Sequence, residues 1–322
     1  MKLGGLGALS FSLFVIAACT GGSNPGTTDG GAASSSGGAS SSGGSSSGGG
    51  SSSGNNASAC SEFVVGGTND PGIGGAAESQ VIAQSAADFA GVAAKQIVDL
   101  TTACKAVATK LEAPAADQAA AEGKTDVRAK ADAWCKLAVS SIGSSKATAG
   151  GTLSVQFQPP ACKLSVQEKG TCQGRCSGSA CDVDANPMIC SGGTLSGGFC
   201  TGGELEGGCK VDAKCDAGCD ATVVAKADCP APAVSVTTSG AANQGEADKL
   251  KQTFEAELPK LLSLKAHCEQ EAKIAGSFSG TVSAVTDIKP ACIVSLVKAT
   301  GAAVQDVQVC ASSTASVAAS SI

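Results

Sequence analysis

Tyrosine is absent from this chain of 322 residues, and aromatic residues make up only 3% of it. There is one tryptophan and one histidine. This scarcity excludes an aromatic sugar-binding platform and a base-stacking nucleic-acid surface. A single histidine excludes any site that needs two. Charged residues amount to 16%, with 22 basic against 28 acidic, so no phosphate-binding footprint exists and no nucleic-acid partner is expected. Neither Cys-x-x-Cys nor Cys-x-Cys occurs anywhere. That argues against zinc ribbons, thioredoxin-like redox sites, c-type haem and common iron–sulfur centres. No metal and no cofactor is expected.

Glycine and cysteine are what the chain has in excess. Glycine is 43 residues, roughly double a usual share of about 7%, and cysteine is 17. The length allows about two domains.

Residues 1–18 carry one positive charge, Lys2, followed by an apolar run from Leu6 to Ala18. That run is too short to span a bilayer and fits the apolar stretch of a signal peptide. It ends in Val15-Ile16-Ala17-Ala18-Cys19, which resembles the lipobox of bacterial lipoproteins. The resemblance implies cleavage after Ala18 and lipidation of Cys19. Thr20, in place of the Asp that marks inner-membrane retention in that family, implies the outer membrane. The membrane is then a partner through the lipid anchor, because several acyl chains together give stable attachment. An ordinary signal peptide cut after an alanine is the alternative. Residues 19–59 continue as a tract with 13 Gly and 14 Ser between Gly21 and Ser58, too poor in apolar side chains to fold. It reads as a disordered tether.

The rest divides into a helical segment at 60–150, a Cys-rich β segment at 151–236, and a helix with strands at 237–322. Phe89, Ala93, Ile97, Leu100, Cys104, Val107 and Leu111 recur at helical steps, which predicts one long helix over 76–112 ended by Pro114. A second helix is expected from Asp126 to Ile142, with Thr125 as cap and Gly143 as stop. Its face is Val127, Ala131, Trp134, Ala138 and Ile142. The period changes to two at Leu153, Val155 and Phe157 and again at Leu164 and Val166, predicting strands. A third helical segment at 246–274 carries Leu250, Phe254, Leu261, Leu264 and Cys268, with Pro259 expected to kink or split it. Strands are expected at 281–286 and 293–297. The order helix Cys, Gly-Thr-aliphatic-Ser, Pro-Ala-Cys occurs twice, so 237–322 reads as a weak repeat of 126–167.

With Cys19 lipidated, sixteen cysteines remain: Cys60, Cys104, Cys135, Cys162, Cys172, Cys176, Cys181, Cys190, Cys200, Cys209, Cys215, Cys219, Cys229, Cys268, Cys292 and Cys310. The number is even and the export signal places them in an oxidising compartment, so all are disulfide candidates. Spacing leaves the pairing open. Two tandem units, Cys190–Gly198 and Cys200–Gly208, share the pattern Cys, Ser/Thr, Gly-Gly, x-Leu-x, Gly-Gly. Each reads as a short strand with one inward Leu between glycine corners. Stacked turns of a small β-solenoid and a meander of short hairpins both fit. Disulfides then replace burial that so few apolar side chains cannot supply.

The Gly-x-Cys-x-Gly form at Cys176 and at Cys200 looks like a hydrolase elbow, but its recurrence marks it as a product of the repeat. Asp182, Asp184 and Asn186 start like a calcium loop, yet Pro187 stands where the loop needs Gly and Gly193 where it needs Glu. A different calcium site using these oxygens, or Asp212, Asp216 and Asp220, stays open as a ligand-binding alternative. His267 reads as a helix-surface or interface residue. The expected fold is α+β, with helices from both flanks packed around a disulfide-rich, Gly-rich β region. The overall pattern is similar to cysteine-rich, Gly/Ser-tethered envelope lipoproteins of Gram-negative bacteria. The expected role is therefore non-enzymatic: a lipid-anchored structural or interaction domain with an envelope or extracellular protein partner.

Overall fold

A computed structural model describes residues 60–322. The expected signal peptide with Ala18, the expected lipidation site Cys19 and the Gly/Ser tract lie outside the described residues. The fold is α+β and disulfide-rich, dominated by helices, with three small antiparallel sheets.

Helix α1 (Ala77–Lys110) and its C-cap Leu111 bury the whole stripe from Phe89 to Leu111 that the sequence period announces. After the short α2 (Ala115–Glu122), helix α3 (Val127–Ala149) runs alongside α1. Its cap is Asp126, one residue later than expected: the carboxylate accepts from the Ala129 amide at 2.8 Å, satisfying a first-turn N–H. Gly143 does not stop it. A glycine in mid-helix costs only about 1 kcal/mol, and burial of Ile142, Ser145 and Ala149 carries the helix on to Gly150, whose positive φ ends it. Val127, expected on the buried face, is exposed.

The chain then makes β1 (Thr152–Phe157) and β2 (Lys163–Ser165), and Val166 starts helix α4 (Val166–Ser177) instead of prolonging the strand. Ser165 caps α4 through its hydroxyl on the Glu168 amide. The tandem units form β3 (Met188–Ser191), β4 (Thr194–Ser196), β5 (Phe199–Thr201) and β6 (Glu204–Gly207). Strands pair antiparallel as β2-β5-β4 and β3-β6, so hairpins, not solenoid turns, are built here. Only one of the two leucines faces inward: Leu205 is 6% exposed and Leu195 46%. Helix α5 (Ala213–Ala225) and β7 (Val234–Ser239) follow, and β7 closes on β1 with Val155 opposite Val236.

Glycine is required at one crossing of the two units. Gly193 and Gly203 meet backbone to backbone: a Cβ on Gly193 would lie 2.4 Å from the Thr201 carbonyl oxygen, and one on Gly203 2.5 Å from that of Ser191. Gly203→Ala is expected to destabilise the body by about 2 kcal/mol through this overpacking. Gly276, in a helix near the C-terminal end with open space around it, is the control, since alanine there should be neutral or stabilising. Thermal melts of the two variants decide it; equal effects would mean the crossing does not constrain the fold.

The C-terminal third departs most from its reading. Helix α6 (Gln244–Ser283) is continuous through Pro259, and α7 (Pro290–Ser321) follows. Leu258, Leu261 and Leu262 are buried on both sides of the proline, and that packing outweighs the roughly 3 kcal/mol an interior proline costs. The strands expected at 281–286 and 293–297 do not exist: 281–283 end α6, 284–286 are the turn and loop after it, and 293–297 lie within α7. β-branched residues suggest strands locally, but Cys292, Leu296, Ala303, Val307, Cys310 and Val317 are buried at helical steps while Val294 and Val297 face solvent. Tertiary burial overrides the local preference. The internal repeat fails structurally for the same reason: Gly151–Ser154 enters a strand, whereas Gly280–Ser283 is the last turn of a helix.

Two main apolar clusters form. One gathers Ile97, Leu100, Trp134, Ile142, Leu250 and Phe254 among α1, α3 and α6. The other gathers Ile82, Phe89, Phe278, Leu296 and Val307 among α1, α6 and α7, with the Phe89 and Phe278 rings edge to face at 5.6 Å. Eight disulfides join what these clusters hold. Cys60–Cys292 ties the start of the described chain to α7, Cys104–Cys135 ties α1 to α3, and Cys268–Cys310 ties α6 to α7. Cys172–Cys219 and Cys176–Cys215 clamp α4 to α5. Cys162–Cys229, Cys181–Cys209 and Cys190–Cys200 close the β region.

Candidate functional site

Every cysteine of the described residues is used in these bonds, which bears on the motifs. Cys176 and Cys200, the centres of the two elbow-like sequences, are paired with Cys215 and Cys190, so neither sulfur is a thiol. Two groups of potential metal ligands cluster among the described residues, Cys176 with Cys215 and Cys219, and Cys60 with Glu62 and Cys292. All their sulfurs are disulfide sulfurs.

The acidic residues singled out for calcium are occupied by other work. Asp182 caps its own turn, accepting from the Asp184 amide at 3.0 Å, while Asn186 donates to the Asp182 carbonyl. Asp212 caps α5 at the Lys214 amide. Asp216 and Asp220 face the buried Lys169 ammonium at 3.6 and 2.8 Å, which also donates to the Leu205 carbonyl. Burial raises the Asp220 carboxyl and Lys169 works against it. A lysine ammonium thus already stands between Asp216 and Asp220.

Two of the cavities among the described residues are large enough for a small molecule. One, of about 510 Å³, is bordered by Gln84, Asp88, Arg175 and Lys226. Its deeper polar groups are partnered: the Thr222 hydroxyl donates to Ser85, which donates to the Val81 carbonyl. The other, of about 620 Å³, lies between α1 and α6.

Helix α6 brings His267 to the wall of that second cavity, and Glu271 follows one turn later. Helix α1 supplies Lys95 and Gln96. His267 Nε2 lies 3.0 Å from the Val224 carbonyl oxygen; a carbonyl only accepts, so Nε2 carries the proton and Nδ1 is left as an acceptor. Burial lowers the imidazole pKa, and the charge on Lys95 adds to the effect. Glu271 is fully buried, and burial pushes its carboxyl up to about 8, with the Gln96 amide opposing. Its nearer oxygen is 3.7 Å from His267 Nε2, beyond hydrogen-bond reach. At neutral pH both groups are therefore uncharged, a carboxylic acid beside a neutral imidazole. Gln96 Nε2 and both Glu271 oxygens are fully buried, and the Gln96 amide is the one group that favours the ionised carboxyl.

Of these groups, His267 and Gln96 border the cavity and Glu271 does not. The wall hydroxyl of Ser263 is spent on the Cys229 carbonyl, and Glu257 is spent on Lys110 and Lys260. His267 was visible in the sequence but read as a surface or interface residue; it is partly buried. Gln96 and Glu271 were missed. Glu271 continues the stripe Cys268, Glu271, Ala275, Phe278, Val282 at helical steps, so a charge on a buried face was the available signal.

Among the described residues, no helix is long and apolar enough to cross a membrane. No family model, no curated protein and no solved structure matches this chain.

Proposed function

We propose that this protein is an exported, lipid-anchored envelope protein, attached to the outer membrane through Cys19, whose disulfide-stapled body serves as a non-enzymatic interaction domain. The observation that carries this reading is the cysteine accounting. All sixteen cysteines after residue 59 pair with each other in the body, and the seventeenth is the residue that the lipobox-like Val15–Cys19 segment assigns to acylation. Eight bonds require an oxidising compartment, which agrees with an export signal. A body held by disulfides resists unfolding and proteolysis with a modest core, a useful property for an envelope protein that meets its partner outside the cytoplasm.

The test is acylation. Produced as the full chain in a Gram-negative host fed an alkyne fatty acid, the protein is expected to take up label and to begin at residue 19. Cys19→Ala is expected to lose the label and to leave the membrane fraction. Export and cleavage of the unaltered chain without any label would overturn the anchor. Recovery of mostly free thiols from the exported protein would overturn the compartment.

A further inference from the structure

Helices α4 and α5 each carry Cys-x-x-x-Cys: Cys172 and Cys176 on α4, Cys215 and Cys219 on α5. Positions four apart share one helix face, so the bonds Cys172–Cys219 and Cys176–Cys215 lie one turn apart between the same two helices. The sulfurs of Cys176, Cys215 and Cys219 all lie within 4.8 Å of one another. Among the described residues this is the one place where a sulfur of a second disulfide comes that close to a first. Cys181, Cys190, Cys209 and Cys229 are also half-buried, but no such neighbour joins them. Access to the four sulfurs of the clamp is uneven. Cys215 and Cys219 are 0% exposed, whereas Cys176 is half-buried. Cys172, next to the buried pair, borders the cavity of about 510 Å³.

We propose that this four-cysteine clamp is a thiol–disulfide exchange site, which takes two electrons from a dithiol at Cys176 and presents the resulting thiol at Cys172, on the cavity wall. A disulfide is opened by a thiolate through a mixed disulfide. One thiolate of the dithiol attacks Cys176 Sγ, and Cys215 leaves and takes up a proton. The second thiolate attacks the dithiol's own sulfur in the mixed disulfide, closes the dithiol to a disulfide and frees Cys176 as a thiolate. Cys176 then attacks Cys219 Sγ. The Cys172–Cys219 bond breaks, a Cys176–Cys219 bond forms, and Cys172 leaves and is protonated. The dithiol is oxidised, its two protons end on Cys215 and Cys172, and the new diagonal bond keeps the helices cross-linked. Burial raises a thiol's pKa in apolar surroundings, so Cys215 stays a neutral thiol and the reactive sulfur is the one at the cavity. The exchange concerns the body alone and stands independently of acylation at Cys19.

The full chain with its disulfides intact would be treated with a limiting amount of dithiothreitol in native buffer. A light maleimide is added to the folded protein and a heavy one after unfolding, and peptides are mapped by mass spectrometry without further reduction. Light label is expected at Cys172 and heavy label at Cys215, with a Cys176–Cys219 cross-link and the bonds outside the clamp intact. Replacing Cys172 and Cys219 together by alanine removes the acceptor bond, and the light label is then expected at Cys176. In the unaltered chain, light label at Cys176 with Cys172–Cys219 retained would overturn the exchange. So would reduction of any bond outside the clamp before Cys176–Cys215, or the absence of label from all four cysteines.

Discussion

Replacing Cys60 and Cys292 together by alanine is expected to lower the stability of the body by about 5 kcal/mol, the largest loss for any one disulfide. The bond joins residues 232 apart in sequence, against 10 for Cys190–Cys200. A cross-link acts largely by removing loop-closure entropy from the unfolded chain, and that entropy grows with the logarithm of the loop. The same relation gives about 3 kcal/mol for Cys190–Cys200. Both Cys60 and Cys292 also belong to the apolar cluster around Phe89 and Phe278, so alanine leaves small voids as well. For a body of this size the long-loop loss corresponds to a fall in melting temperature of roughly 10–20 °C. Calorimetry of the two double variants checks the ranking. If both lose the same amount, the stabilisation is local and the entropic account is wrong.

Glu271→Gln is expected to stabilise the protein at alkaline pH and to change little in acid. The folded pKa of Glu271, about 8, lies above its ordinary value of 4.5. The fold therefore favours the neutral acid. The group's full contribution is present below about pH 4.5, shrinks as pH rises, and is gone above about pH 8. A shift of this size corresponds to roughly 3–5 kcal/mol at pH 9, released when glutamine removes the ionisation. His267 faces Glu271 from one turn earlier on α6, Gln96 from α1, and Lys95 acts through His267. Since His267 is held neutral, it destabilises the fold when it is protonated in acid. It is common to both proteins, so the difference between them isolates Glu271. Denaturant melts at about pH 4, 7 and 9 read the effect. A difference independent of pH would show that Glu271 is ionised throughout or reached by water.

Legibility in this chain followed the length of each apolar pattern. The α1 stripe from Phe89 to Leu111 spans many turns, and every member is buried. Its partner α3 was found with Ala131, Trp134, Ala138 and Ile142, all buried as expected. Short elements were harder. Helices α4 and α5 lie inside the Cys-rich segment, where glycine and cysteine hide any period, and two disulfides clamp them together. The valines and isoleucine of 293–297 favour a strand locally, yet α6, α1 and α3 offer α7 a surface that only a helix fills.

The candidate site was less legible still. His267 stood out by being unique, but nothing local says that a carbonyl from α5 holds its ring. Gln96 precedes Ile97 on a helix whose polar residues mostly face water. It joins Glu271 only because α1 and α6, some 170 positions apart along the chain, pack side by side.

Composition and period were enough for the class of the fold, its long N-terminal helices, and the expectation that disulfides would carry stability in a body with so few aromatics. These follow from local quantities: the count of large apolar side chains, their spacing, and cysteine parity. The pairing of sixteen cysteines, the helical state of the last third, and the meeting of Gln96, His267 and Glu271 are long-range facts. Each depends on which helix faces packed together and excluded water, a choice made over the whole body at once and written in no short stretch of sequence.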